Sequence, residues 1–311
     1  MEYCQFGCYS ENYLSLHKVI HSNYREASTI ENRLHNMKRI LHVTEAFNGG
    51  IVEVLENILR DCPNQYHYIL FSSREYDPKP YLEDFNFNNI QLIPWSGNLI
   101  KKRIHLWKIE RRIHPNVIHL HSSFAGVIGR LRFSGKIPVI YSPHGFSFQK
   151  RDISKSIRLM YWLIEFILQL KTNLNIAFWP IESIHFKYLG SSKKTTFCPL
   201  LIDTYSFESF KYPPAAWSSG NLKILGIGRL TTAKDPEFFL ETVNQMRKKI
   251  PLSAKWVGDG VESTKKKLMS GGIDVTGWVP KEIVEEEILS SDILLVTSLW
   301  DAGPATVFNA I

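Results

Sequence analysis

Long apolar runs are missing from this chain. The nearest, Leu159 to Leu170, contains Glu165 and falls short of the roughly 18 uncharged apolar residues that a membrane-spanning helix requires. No transmembrane helix is expected. Cysteine is equally scarce: Cys4, Cys8, Cys62 and Cys198 are too few and too scattered for a disulfide framework. Cys4 and Cys8 also lack a second ligand pair at zinc-site spacing. The N-terminus carries Glu2 and Glu11 and has no uninterrupted apolar core, which argues against a secretory signal. Together these absences point to a reducing, cytoplasmic location.

A strong charge of either sign is absent as well. Lys and Arg number 37 against 30 Asp and Glu, for a formal charge of +7 in 311 residues. This mild excess suits anionic partners, but nucleic acid, lipid headgroups and nucleotide diphosphates all satisfy it, so charge alone does not choose. With 44% apolar residues the chain is long enough for two α/β domains.

Residues 1–36 show no sustained period of 2 or 3.6, and read as an N-terminal extension, either a disordered leader or an overlong gene start. At Met37 the character changes. Arg39 to Thr44 reads as a strand, Glu45 to Gly50 as a glycine loop and Ile51 to Leu59 as a helix. Further strands are expected at Tyr68 to Phe71, Ile90 to Ile93, Val117 to Leu120, Val139 to Ser142 and Asn175 to Phe178. Alternation of short apolar runs with helical stretches predicts a parallel, doubly wound sheet over residues 37–212. Pro213, Pro214, Ser218, Ser219 and Gly220 make residues 213–220 a linker, and a second α/β unit occupies 221–311. Its expected strands are Lys223 to Gly226, Ser253 to Val257, Ile273 to Val275 and Ile293 to Val296. Its expected helices are Pro236 to Lys249, Val261 to Met269 and Lys281 to Leu289. In such sheets ligands bind beyond the carboxyl ends of the strands.

The motifs sit at those ends. In ILGIGRLTTAKDPEFFLETV a strand runs into Gly226 and Gly228, Arg229 follows, and Lys234 lies five residues on. Two cations there can neutralise a departing diphosphate, although a solvated loop Arg and Lys would look the same in isolation. The segments WVGDG (Trp256 to Gly260), VTGWVP (Val275 to Pro280) and SDILLVTSLWDAGPATVFNA (Ser291 to Ala310) follow in order. His119 and His121 alternate and share one strand face. That spacing could hold a metal, but no carboxylate or cysteine cluster at suitable spacing supports one, and no metal site is assigned.

This order and spacing resemble family 4 of the retaining glycosyltransferases, with its GxGR-x4-K clamp, VGxG turn, xGWV segment and E-x7-E motif. The resemblance extends from Met37 to the end. It implies the GT-B fold, two doubly wound Rossmann-like domains facing a cleft, and transfer of a hexosyl group from a UDP- or GDP-sugar. The implied acceptor is a surface glycan or lipid-linked oligosaccharide, with no catalytic cofactor and no nucleic-acid partner. By the same resemblance Gly49 and Gly50 approach the donor phosphates, and Arg229 and Lys234 clamp the diphosphate. Gly228, Gly258, Gly277, Trp278 and Val279 line the nucleotide sugar. His144 in VIYSPHGFSF contacts the donor sugar or acceptor, and Ser122, Ser123, Gly126 and Arg130 belong to an acceptor-side segment.

The sequence also departs from the pattern. Asp301 stands at the first acidic position of E-x7-E and Asn309 at the second, where the family has a glutamate for the ribose hydroxyls. The second domain reads as incomplete, because further helices would be expected after Ile311. A non-catalytic relative that binds a nucleotide sugar or a partner glycosyltransferase is therefore the competing reading. Finally, Lys150, Arg151, Lys155 and Arg158 precede an apolar stretch from Leu159 to Leu168. It reads either as a buried helix or as an interfacial helix that docks on an anionic inner membrane leaflet.

Overall fold

The computed structural model describes residues 38–45, 50–72, 89–131, 136–199, 220–301, 303 and 307. The chain divides into two compact units, Met1–His144 with Glu165–Pro199, and Gly145–Ile164 with Leu200–Ile311. The expected linker residues Pro213 to Ser219 lie outside the described residues.

The first unit is built on β1 (Arg39–Thr44), β2 (Tyr66–Phe71), β3 (Ile90–Pro94), β4 (Val117–His121), β5 (Val139–Ser142), β6 (Leu174–Ala177) and β7 (Thr195–Phe197). They form one parallel sheet in the order β3-β2-β1-β4-β5-β6-β7. The strand order reverses between β1 and β4, so the carboxyl ends of those strands are the place where a doubly wound sheet opens a crevice. The central strands are continuously buried, as a sheet covered on both faces demands: all five residues of β4 and all four of β5 are inside.

Helices α1 (Gly50–Asp61), α2 (Leu99–Ile113), α3 (Ser123–Arg130), α4 (Lys155–Leu168) and α5 (Pro180–Tyr188) connect these strands. Asn98 starts α2 by accepting from the amide of Lys101, and His114 ends it in the left-handed conformation. One apolar stripe of α1, Val52, Leu55 and Leu59, packs with Ile69 and Phe71 of β2. That contact fixes which face of the sheet α1 covers.

The second unit carries β8 (Leu222–Ile227), β9 (Leu252–Val257), β10 (Asp274–Val275) and β11 (Ile293–Leu294), parallel and ordered β10-β9-β8-β11. Helices α6 (Pro236–Arg247), α7 (Glu262–Ser270) and α8 (Lys281–Leu289) lie between its strands. Asp235 caps α6 by accepting from the amide of Phe238, and Pro236 supplies a first-turn φ that is already helical. Phe239, Leu240 and Val243 of α6 pack on Ile224, Ala254 and Trp256, and Phe239 meets the Trp256 ring edge-on. The α/β class and parallel winding read from the sequence hold in both units.

β7 escaped the sequence reading. It is a three-residue edge strand, TTF, with no fully buried side chain, so it lacks the apolar signal that marked the others.

Candidate functional site

Three loops of the second unit meet at the carboxyl ends of β8, β9 and β10. Gly228, Gly258 and Gly277 all have positive φ, and a Cβ on Gly258 would lie 2.2 Å from the carbonyl oxygen of Gly228. Only glycine permits that approach. The amide of Gly258 donates to the carbonyl of Gly277 at 3.1 Å, and the Trp256 indole donates to the carbonyl of Gly228 at 2.8 Å. The glycine residues thus lock three loop tips into one surface.

Lys234 packs its aliphatic stem against Gly228, and its ammonium forms an ion pair with the carboxylate of Asp301. Thr297 anchors the same turn by donating to the carbonyls of Lys234 and Asp235 at 2.9 and 3.1 Å. Arg229 is exposed and forms no ion pair among the described residues, which leaves its guanidinium open to an anion. Trp278 is exposed beside Gly277, and Val279 is half-buried. Asn309 lies outside the described residues.

In the first unit, Gly49 lies outside the described residues, whereas Gly50 opens α1. A Cβ at Gly50 would meet nothing within 4 Å, so crowding does not explain a glycine there. His144 lies two residues past β5 in the left-handed region, φ +48°, followed by Gly145 at φ +97°. The turn places the imidazole flat on Phe178, with ring centroids 5.3 Å apart. Backbone strain of this kind concentrates at functional positions.

Behind His144 lies a set of residues that the sequence reading did not assemble. His67, His42 and His121 run across the sheet face under α1, and their ring nitrogens, with that of His144, are linked at 3.1, 3.2 and 3.0 Å. His119 donates to or accepts from Ser142 Oγ at 2.9 Å through Nε2, while its Nδ1 is buried with no hydrogen-bond partner. Burial pushes the whole set towards the neutral form: His119 and His144 fall to about 3, and His42 and His121 sit well below the ordinary range. One nitrogen each from His42, His119 and His121 lies within 4.8 Å of the others, so this trio has the spacing of metal ligands. It contains no carboxylate or thiolate, and two of its nitrogens, Nδ1 of His42 and Nε2 of His121, are bonded to each other. The alternation of His119 and His121 was the visible part of this signal. His42 and His67 join it only because β1 lies between β2 and β4.

In the segment that resembles the acceptor side, Arg130 is turned into the protein. Its guanidinium is fully buried, donates to Glu165 at 2.7 Å, and lies 3.8 Å over the Tyr141 ring, whose hydroxyl donates to the same carboxylate at 2.9 Å. Gly126 is required by the approach of Tyr141, 2.5 Å from a built Cβ. These residues tie α3 and β5 to Glu165, in the part of α4 that belongs to the first unit.

Residues 48–177 match the model of Glycosyltransferase Family 4. A galactosyltransferase of Escherichia coli, UDP-Gal:alpha-D-GlcNAc-diphosphoundecaprenol alpha-1,3-galactosyltransferase, is 28% identical over 71% of this chain and 61% of its own length. An uncharacterized 41.2 kDa protein from the cps region of Klebsiella pneumoniae is 27% identical, over 85% of this chain and 75% of the relative. The crystal structure of Anabaena HepE in complex with UDP and glucose superposes with a TM-score of 0.68 at 17% identity, over 88% of this chain and 78% of HepE. The fold is that of the GT-B glycosyltransferases, and the class of chemistry is glycosyl transfer.

Proposed function

We propose that this chain is a family 4 glycosyltransferase that moves a hexosyl group, with retention, from a UDP- or GDP-sugar to a surface-glycan or lipid-linked acceptor. The observation that carries the reading is the Gly228, Gly258 and Gly277 surface with Arg229 open beside it and Lys234 held by Asp301. Arg229 supplies a cation to the diphosphate as the glycosidic bond breaks, and Lys234 joins it when the sugar nucleotide competes for Asp301. Asp301, released from part of that pair, accepts hydrogen bonds from donor-sugar hydroxyls. Gly258, Gly277, Trp278 and Val279 shape the nucleotide pocket. His144 positions a sugar hydroxyl and needs no proton-transfer role. The relatives favour UDP over GDP as the first nucleotide to try, since one is a UDP-galactose enzyme by name and HepE is complexed with UDP.

The test is thermal shift of the full chain with UDP and with GDP. Ligand that binds only the folded state raises the melting temperature, and Arg229→Ala is expected to remove most of that rise. An equal rise in Arg229→Ala would show that the clamp is elsewhere. The anomeric configuration of the transferred sugar, read by NMR, decides retention.

One observation favours a second reading, a nucleotide-sugar-binding relative without turnover. Asp301 stands where a longer glutamate is expected and is already engaged by Lys234. Nucleotide-dependent stabilisation with no transfer across a panel of acceptors would select it.

Membrane contact belongs to the same proposal. Glu165 and Leu168 are the buried residues of α4, while Ile157, Leu159, Met160, Leu163, Phe166 and Ile167 are exposed, next to exposed Lys150, Arg151 and Lys155. An apolar face bordered by cations suits peripheral attachment to an anionic leaflet, where a lipid-linked acceptor would be found. No helix among the described residues is long and apolar enough to cross a membrane.

A further inference from the structure

The imidazole row behind His144 has a direction. His67 Nε2 lies 2.9 Å from the carbonyl oxygen of Cys62, which can only accept, so this nitrogen carries the proton. In a neutral ring the other nitrogen is then bare, and His67 Nδ1 accepts from His42 Nε2 at 3.1 Å. The same step repeats. His42 Nδ1 accepts from His121 Nε2 at 3.2 Å, and His121 Nδ1 accepts from His144 Nε2 at 3.0 Å.

We infer that His67, His42 and His121 are positioning residues that hold His144 as the Nε2–H tautomer, so that Nδ1 presents a lone pair and takes a hydroxyl group of the sugar substrate, not a phosphate or carbonyl oxygen. The assignment follows from one fixed acceptor at the far end, because each neutral ring offers one donor and one acceptor and passes the order on. Rings buried this far from water keep that order, since a second proton on any of them would place two donors face to face without compensation. His42 and His121 are wholly buried and His67 is 1% exposed. Phe178 stacked on His144, with planes 8° apart, prevents the ring from turning to exchange its nitrogens. Other polar groups do not reverse the order: Ser142 engages His119 Nε2, and His119 touches the row through ring contacts with His42 and His121.

The inference rests on the proposed function only for the identity of the group that meets His144; the tautomer itself does not. Ring 1H–15N correlation spectra of the full chain labelled with 15N-histidine read every tautomer at neutral pH, with assignment by single substitution. The expected result is Nε2–H for His67, His42, His121 and His144 alike. His67→Phe removes the anchor, and His144 is then expected to show both tautomers. His67→Gln restores the order, because its amide donates to Cys62 and its carbonyl accepts from His42. In the transfer assay, activity is expected to fall about tenfold in His67→Phe, the equivalent of one hydrogen bond of about 1.4 kcal/mol, and to recover in His67→Gln. Nδ1–H on any of the four rings in the parent overturns the inference, even if the Phe variant does not fold. So does one equivalent of zinc retained after dialysis against chelator, since metal would need the facing nitrogens of His42 and His121. Correct tautomers with no transfer would leave the relay standing and remove the proposed function instead.

Discussion

The buried histidines set how this protein responds to acid. Desolvation is the main reason that the pKa values of His119 and His144 drop from 6.5 to about 3, with the His144 imidazole adding to it at His119. Depressed folded values mean that the unfolded chain binds more protons below pH 6.5, so the stability these rings contribute is complete above 6.5 and is lost as pH falls towards 3. The urea midpoint should therefore be lower at pH 5 than at pH 7, before most carboxylates titrate. Equal midpoints at the two pH values would mean that the rings are hydrated. Of this set the sequence offered His144, on resemblance, and the alternation of His119 and His121 on one strand face. Nothing in a linear string states that an imidazole 102 residues upstream of His144, at His42, would share its hydrogen-bond row.

At the scale of elements, α4 shows how one charge can decide what a helix does. Its sequence is apolar on more than one face, and periodicity left a buried and an interfacial reading open. Glu165 resolves the anchoring side: its carboxylate accepts from Arg130 and Tyr141 while the opposite apolar side chains stay exposed. Removing one partner of a buried pair strands the other, so Glu165→Ala should lower the unfolding free energy by about 3–5 kcal/mol. Leu163→Ala on the exposed side should change it by less than about 0.5 kcal/mol. Denaturant titration of both variants makes the comparison, and similar losses would show that α4 is packed on Leu163 as well. The strand assignments read from the sequence were near the observed bounds wherever apolar runs ended in turn residues. β7 was missed because an edge strand need not be apolar.

For the molecule as a whole, a net charge of +7 and the exposed face of α4 together make anionic surfaces the expected partner beyond small ligands. The chain should sediment with vesicles containing anionic lipid at low salt, and much less with neutral vesicles. Each cation near the surface contributes about 1 kcal/mol, so a variant with Lys150, Arg151, Lys155 and Arg158 all changed to Gln should remain in the supernatant. If that variant pellets as well as the parent, charge is not what brings the protein to a membrane. The sequence by itself determined the parallel α/β class and the strand ends that carry Gly228, Gly258 and Gly277, because hydrophobic period and motif spacing are local properties. Only tertiary structure decided which charges are available and which are spent. Arg130 and Arg229 look alike in the string, yet one is sealed against Glu165 and the other is open, since burial depends on the elements that pack around a side chain and not on its neighbours in sequence.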